Sequence, residues 1–457
     1  MKNNWKEILK FSLPMTFIGI ADLLLIVMDF IWIYVFVGKP ETFGALRVSS
    51  AIIILVEGII ISVIGAIMVY VSQHFGAKDI INTKKGVLNG LAFSMYGGLA
   101  VTIIGIACMP IFELLFGVDR ITNSYVQSYL TYFFIGYIFI CINNLLLLLP
   151  RFFGEVKLIY KGLGLMIALN FIVTPLFMII CDHLNMDIIS GAALGTIFAN
   201  AACFLYLFYI LFYKDYLNLG LNIKDMPPKI DIAFFKQNKA YVGTEIFNGL
   251  SYNTSLFLYT LILSYYPKDA FNIYSIGTYA YVFFGVFAQN FTASLIPMVA
   301  QRVGEGKYDE IKDLVKKMCL ILITYGITIA VPLILSRNFL AQIFSPNKDT
   351  AILFSEFFAF YTIPWVLNLL SLVFVFVVGA SGDAKGGSLL IVVNMYVIVV
   401  SCLLIVPNLF NNTITGVFFS LGLIQVLTFV FSYWYYLTGR WTKVNLLKSK
   451  EVEAGSI

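Results

Sequence analysis

Twelve apolar runs, each at least 21 residues long, occupy positions 11–37, 49–73, 88–112, 124–149, 161–181, 189–213, 240–265, 273–300, 316–337, 353–379, 387–407 and 414–437. A helix needs about 20 apolar residues to cross the hydrocarbon of a bilayer, so each run is long enough to span. Only 12% of the residues are charged, about half the roughly 25% usual in soluble domains. Too few charges remain to cover a water-facing surface of this size. The expected fold is an all-α integral membrane protein with twelve transmembrane helices.

The longest water-compatible interval, residues 214–239, holds Pro227-Pro228 and five lysines and lies at the middle of the 457-residue chain. It reads as a linker between an N-terminal lobe over 1–213 and a C-terminal lobe over 240–437, with a polar tail over 438–457. If the loops alternate sides and the N-terminus is cytoplasmic, 24 of the 30 Lys and Arg fall on the cytoplasmic side; Lys39, Arg47, Arg120, Lys268, Arg337 and Lys348 fall opposite. Short loops rich in Lys and Arg stay inside, which predicts both termini in the cytoplasm and a multi-pass protein of the cell membrane. The first apolar run lacks a small-residue cleavage site near its end, so a signal peptide is not expected. The net charge of +5 then reflects topology and attraction to anionic lipid, with no nucleic-acid partner. Six cysteines stand singly in apolar stretches, and the only histidines are His74 and His183. Neither a disulfide framework nor a His-based metal site is expected.

A repeat divides the apolar mass. Gln73-His74-Phe75-Gly76-Ala77-Lys78 follows the second run, and Gln301-Arg302-Val303-Gly304-Glu305-Gly306-Lys307 follows the eighth, with Gln73 and Gln301 offset by 228. Gly154-Glu155-Val156-Lys157 and Gly382-Asp383-Ala384-Lys385 repeat at the same offset. Asn170 answers Asn394 and Gly191 answers Gly416 at offsets of 224 and 225. Six helices separate the copies, so the two six-helix lobes are parallel, pseudo-symmetric repeats, an arrangement used by transporters. The Gly-acid-Lys turns read as rigid corners in which Gly permits a sharp turn and the acid caps the following helix.

A carboxylate at mid-membrane costs about 2.5–3.5 kcal/mol on insertion scales, so an acid kept there faces protein or water. Asp22 and Asp29 are seven residues apart, on one face of the first helix. With no Lys or Arg inside the helices to pair with them, desolvation favours proton uptake, as a proton carrier requires. Glu57 and Glu245 lie early in helices 2 and 7, where cavity and interface positions are both open. Asn143, Asn144, Asn248, Asn253 and Asn368 are neutral polar groups in apolar helices, suited to interhelical hydrogen bonds or to substrate contact. Pro14 removes a backbone hydrogen bond early in the first helix and permits a bend.

These landmarks resemble the multidrug and toxic compound extrusion (MATE) family of the multidrug/oligosaccharidyl-lipid/polysaccharide flippase superfamily. The likeness is carried by Phe11-Ser12-Leu13-Pro14 through Met28-Asp29, Val71 to Asp79, Arg151 to Lys157, Leu169-Asn170 through Thr174-Pro175 and Gly191-Ala192-Ala193-Leu194-Gly195-Thr196, with second-half counterparts at 297–307 and 379–385. The resemblance implies two lobes around a central cavity and export of organic compounds, cationic or neutral and amphipathic, in exchange for protons or sodium ions by alternating access. No cofactor beyond the coupling ion, H+ or Na+, is implied, and the expected partners are a small organic substrate and membrane lipid, with the protein a monomer. One branch of the family builds its cation site from an aspartate in helix 1, an asparagine and an aspartate one turn apart in helix 5, and a threonine in helix 6. Asp29, Asn170 and Thr196 match; Thr174 replaces the second aspartate. Another branch places acids in helices 7 and 10, where this chain has Glu245 and Asn368. Family use of a helix 1 proline to bend and close the lobe falls on Pro14.

Other readings fit less well. A flippase for lipid-linked saccharides would need cationic residues in its cavity, and the basic residues here lie at helix ends. A dedicated metabolite or peptide exporter of the same fold stays open. Gly379-Ala380-Ser381-Gly382-Asp383 superficially resembles a membrane aspartyl protease signature, but its glycine spacing is wrong, and no nucleotide-binding G-x-x-x-x-G-K-[ST] loop occurs. An enzyme is therefore not expected, and a channel would differ from an exporter by lacking dependence on an ion gradient.

Overall fold

The structure, a computed structural model, describes residues 4–37, 40–110, 120–263, 266, 268–344, 348–411, 413–444 and 446; inside the helices the side chains of some residues, Asp22 and Asn253 among them, lie outside the described residues. Long helices follow one another as α1 (Asn4–Phe36), α2 (Pro40–Gly76), α3 (Ile80–Ala107), α4 (Arg120–Phe153), α5 (Val156–His183) and α6 (Ile188–Tyr213, its last turn a π-helix). After the linker come α7 (Lys239–Leu263), α8 (Lys268–Ala293), α9 (Tyr308–Leu335), α10 (Lys348–Ser381), α11 (Ala384–Leu409, with a π segment at Val392–Ile398) and α12 (Ile414–Leu437). No strand occurs among the described residues. Nine of the helices, all but α1, α7 and α8, are long and apolar enough within the described residues to cross a membrane. The chain is an all-helical multi-pass membrane protein.

Several helices outrun the apolar runs that announce them. α1 begins at Asn4 and α2 at Pro40, because polar residues at a membrane surface keep helical backbone where water can reach them. Proline suits that first helical position, where its missing N–H would have no partner. α1 continues unbroken through Pro14.

The chain packs as two compact units, one of Phe17–Val242 and one of Met1–Thr16 with Gly243–Ile457. Both breaks fall inside a continuous helix, α1 and α7, at nearly the spacing of the sequence repeat. In the second unit the opening turns of α1 are held by Arg302, whose guanidinium is 8% exposed and reaches Glu7 at 2.7 Å and Glu310 at 3.3 Å. Ser12 and Ser294 share a buried hydrogen bond of 2.6 Å nearby. In the first unit the linker folds back on α2 and α3, with Lys84 pairing Asp225 at 2.9 Å and Lys85 pairing Asp231 at 2.6 Å. Asn89 Oδ1 accepts the Asp231 backbone N–H at 2.9 Å, and the Phe234 ring meets Tyr70 edge-on. The polar composition of 214–239 announced a connection but gave no sign that it docks. Arg302→Ala is expected to destabilise the protein by about 2 kcal/mol, between the values typical of exposed and buried ion pairs, because it strands Glu7 and Glu310. Thermal unfolding of the purified protein in detergent reads this, and Glu310→Ala, at the more exposed partner, should cost less.

The repeat is visible in the backbone itself. Lys78 and Gly306 both adopt left-handed φ, of 60° and 72°, as do Gly154 and Gly382, at 74° and 86°. Each pair is offset by the 228 residues read from the sequence. Gly154 and Gly382 close their helices where a side chain would be strained. Asp383 caps α11, accepting Gly386 N–H at 2.9 Å and the Tyr435 hydroxyl at 2.7 Å. Its counterpart Glu155 makes no side-chain capping bond and instead accepts from the Tyr216 hydroxyl at 3.3 Å. Asp79 caps α3 and takes hydrogen bonds from Asn82 N–H at 3.1 Å and Asn82 Nδ2 at 2.5 Å, with His74 Nδ1 at 3.1 Å. Desolvation pushes the Asp79 carboxyl up, but the Asn82 and His74 contacts together outweigh it and hold the group below the usual carboxylate range. His74 and Arg302, buried basic side chains bound to acids, occupy equivalent repeat positions.

A candidate cation site in the first unit

The site starts from two missing side chains. Gly191 and Gly195 lie one turn apart on α6, and a Cβ on either would fall 2.5 Å from a backbone Cα of α5, that of Met178 for Gly191 and of Thr174 for Gly195. Small residues at this spacing let membrane helices approach closely. The approach brings Thr196, the neighbour of Gly195, within reach of α5: Asn170 Nδ2 donates to Thr196 Oγ1 at 3.1 Å. Thr196 Oγ1 in turn donates to Asp29 on α1, at 3.3 Å to Oδ2 and 3.5 Å to Oδ1. Three helices thus contribute to one hydrogen-bonded chain that ends on a carboxylate.

Behind this chain are acceptors without donors. Asn170 and Thr174 are fully buried, and neither Asn170 Oδ1 nor Thr174 Oγ1 has a hydrogen-bond partner among the described residues. A buried polar atom left unpaired costs about 1–3 kcal/mol, so two such oxygens, one on the residue that holds Thr196 and one packed at Gly195, call for a further partner such as a cation or a water. The residue at 174 is a hydroxyl rather than a carboxylate, and it packs directly against the Gly195 position.

Asp29 and Thr196 open onto a cavity of about 330 Å³ inside the first unit. Its polar wall also includes Ser50, Glu57, Tyr129, Asn143, Asn144 and Asn200, and its apolar wall includes Ile53, Phe133, Ile140, Leu147 and Met166. Asn143 Nδ2 donates to Asn200 Oδ1 at 2.9 Å, and Asn200 Nδ2 donates to the Thr196 backbone carbonyl at 2.9 Å. The network therefore runs from α4 through α6 to Asp29.

The structure links Asp29, Thr196 and Asn170 in one hydrogen-bonded chain, sets Thr174 against Gly195 beside Thr196, and places Glu57, Asn143 and Asn144 on the cavity that Asp29 and Thr196 line. Asp22 falls outside the described residues, as does Asn253. Glu245, Asn248 and Asn368 belong to the other unit. There Asn248 Nδ2 donates to Glu245 at 3.3 Å within α7, and the backbone carbonyl of Asn368 accepts from Ser371 at 2.7 Å. The repeat mate of Asn170, Asn394, donates to Ser432 at 2.9 Å, but the positions answering Asp29 and Thr196 are Phe257 and Leu421. Tyr129, Ser50 and Asn200 escaped sequence reasoning. Asn200 had a signal, since it follows Thr196 by four residues and so shares its helix face.

Comparisons with known proteins agree along the chain. A family model described as MatE matches residues 246–405. The multidrug export protein MepA of Staphylococcus haemolyticus is 24% identical over 429 residues, covering 91% of this chain and 90% of that protein. The probable multidrug resistance protein YpnP of Bacillus subtilis is 29% identical over 216 residues, 46% of this chain and 47% of that one. Among solved structures, the MATE transporter VcmN of Vibrio cholerae in its bent form aligns with a TM-score of 0.83 at 17% identity, covering 96% of this chain and 97% of that chain. An outward-facing MATE family transporter of the MOP superfamily aligns at 0.82 and 15% identity, covering 97% and 96%. The solved structures bear out the expected twelve-helix fold, and the MatE match over residues 246–405, together with the likeness to MepA over 91% of the chain, agrees with the family resemblance read from the sequence.

Proposed function

We propose that the protein is a secondary active exporter of amphipathic organic compounds, driven by exchange for protons or sodium ions through alternating access. The observation that carries this reading is the Asn170–Thr196–Asp29 chain, with the unpartnered Asn170 Oδ1 and Thr174 Oγ1 beside it and an organic-sized cavity in front. Asp29 takes up the coupling cation. Thr196 orients its carboxylate, and Asn170 orients Thr196. Thr174 contributes an oxygen without a second negative charge, which limits the site to one monovalent charge at Asp29. Pro14 supplies the weak point at which α1 bends as occupancy of the site changes. The protein resides in the cell membrane with both termini in the cytoplasm, as the distribution of Lys and Arg favours, and its lobes comprise the helices before and after the 214–239 linker.

Coupling requires that cation and substrate differ in their affinities for the two states. Substrate efflux from proteoliposomes under separately imposed proton and sodium gradients tests the proposal. Efflux under one gradient, absent without it, is the expected result; gradient-independent flux would indicate a channel and overturn the reading.

A further inference from the structure

Where the linker docks, it leaves a groove against the opening turns of α3. Ile81, Lys84, Lys85 and Leu88 recur at the three- and four-residue spacings of one helix face. They form one wall of a cavity of about 350 Å³, and Asp225, Lys229 and Asp231 of the linker stand on the other. The charges in this groove do not balance. Lys84 pairs with Asp225 and Lys85 with Asp231, which commits both acids. Lys229, exposed on the same groove, has no acid partner among the described residues. The pairing also leaves donors over, since an ammonium carries three N–H groups and Lys85 meets one acceptor among the described residues, Asp231 Oδ2 at 2.6 Å.

A second, independent observation concerns the apolar rim. Ile81 is 82% exposed, and Ile230 and Ile232, on either side of Asp231, are 44% and 65% exposed. Two contacts fix the height of the groove along α3: Asn89 Oδ1 accepts the Asp231 N–H, and the Phe93 ring lies 6.3 Å from that of Phe235. Asn89 and Phe93 fall within the apolar run that begins at 88, whereas Lys84 and Lys85 precede it. The groove therefore straddles the level at which headgroups give way to hydrocarbon. Isoleucines exposed at that level mark a membrane-facing surface.

We propose that this groove holds the headgroup of an anionic glycerophospholipid, with Lys229 and Lys85 as counter-charges to its phosphate and Ile81, Ile230 and Ile232 along its acyl chains. Basic pockets beside membrane helices on the cytoplasmic side suit such headgroups. The topology proposed above puts the groove on that side, while the chemistry of the site is the same in either leaflet. A soluble phosphate would meet the lysines but leave the isoleucines in water, so the lipid is the fitting occupant. Its headgroup bridges α3 and the linker, adding to the two ion pairs that already join them.

The test uses the full-length protein in a neutral detergent, so that no anionic surface is present, titrated with dioctanoylphosphatidylglycerol, dioctanoylphosphatidylcholine or glycerol 3-phosphate. Native mass spectrometry counts the molecules bound. The phosphatidylglycerol should bind more tightly than the phosphatidylcholine, and glycerol 3-phosphate far more weakly than either lipid. Lys229→Gln should weaken phosphatidylglycerol binding about fivefold, the worth of one lysine beside anionic lipid, with the melting temperature unchanged because Lys229 holds no internal ion pair. Lys229→Arg, which keeps the charge, should retain the binding. Lys236→Gln, at an exposed linker lysine outside the groove, should stay within twofold of wild type. Unchanged binding in Lys229→Gln overturns the assignment, as do equal losses in Lys229→Gln and Lys236→Gln, which general attraction to a basic surface would produce. Glycerol 3-phosphate binding as tightly as the anionic lipid overturns it as well. None of these readouts depends on transport, so the site stands or falls apart from the export reading.

Discussion

Asp29→Asn is expected to reduce gradient-driven export to the leak of protein-free vesicles while leaving the protein folded in the membrane. Asparagine preserves the shape at this position and can still accept the Thr196 hydroxyl, now 3.3 Å from Asp29 Oδ2, but it cannot alternate between charged and neutral forms. A site locked in one charge state has no differential affinity to couple to the cation gradient, and a ligand without differential affinity shifts no equilibrium. Folding should survive because the substitution removes a buried charge rather than a packing contact. The measurement is efflux from proteoliposomes under an imposed gradient, beside a melting curve of the same preparation. Export at the wild-type rate by a folded Asp29→Asn protein would remove Asp29 from the coupling step.

The second large effect is expected at Gly195. A Cβ there would lie 2.5 Å from Thr174 Cα, a backbone atom that can yield only if the helices separate. Overpacking of a well-filled core typically costs about 1–3 kcal/mol, and Gly195→Ala should fall at or above the upper end because no flexible side chain can move aside. The same separation would pull Thr196 away from Asn170, across a bond that is now 3.1 Å. Both the melting temperature and efflux should therefore drop together. Gly164→Ala is the matched control, since a Cβ on that α5 glycine meets nothing within 4 Å, and it should be nearly silent in both assays. A Gly195→Ala protein with wild-type stability would show that α5 and α6 are less tightly engaged than their geometry requires.

Much of this was legible in the sequence because lipid is a demanding solvent. Apolar runs of spanning length announced the helices, and the 228-residue interval announced the two-fold repetition that Lys78, Gly306, Gly154 and Gly382 display in their φ angles. The cluster of Asp29, Asn170 and Thr196 was reachable through family resemblance, because each residue sits in a recognisable segment. Contacts between segments distant in sequence were harder to read. Nothing in Glu7 marks it as the partner of Arg302, 295 residues away, since any surface acid looks alike in one dimension. Tyr129 and Ser50 went unnoticed for a related reason: single polar side chains in apolar helices point inward or outward according to a rotation that periodicity resolves poorly when nearly every neighbour is apolar. The helix ends were misjudged where charged residues continue the helix into the interface, as at Trp5 to Lys10.

The two repeats keep the same backbone corners but not the same polar residues: Asp29 and Thr196 in one are answered by Phe257 and Leu421 in the other, and only Asn170 has kept its counterpart, Asn394. On the proposed reading, in which Asp29 takes up the coupling ion, the second repeat does not carry that duty. Mutational tolerance should therefore be lopsided across a chain whose architecture is nearly even. The half without that pair is where new specificities could accumulate without disturbing the proposed cation site.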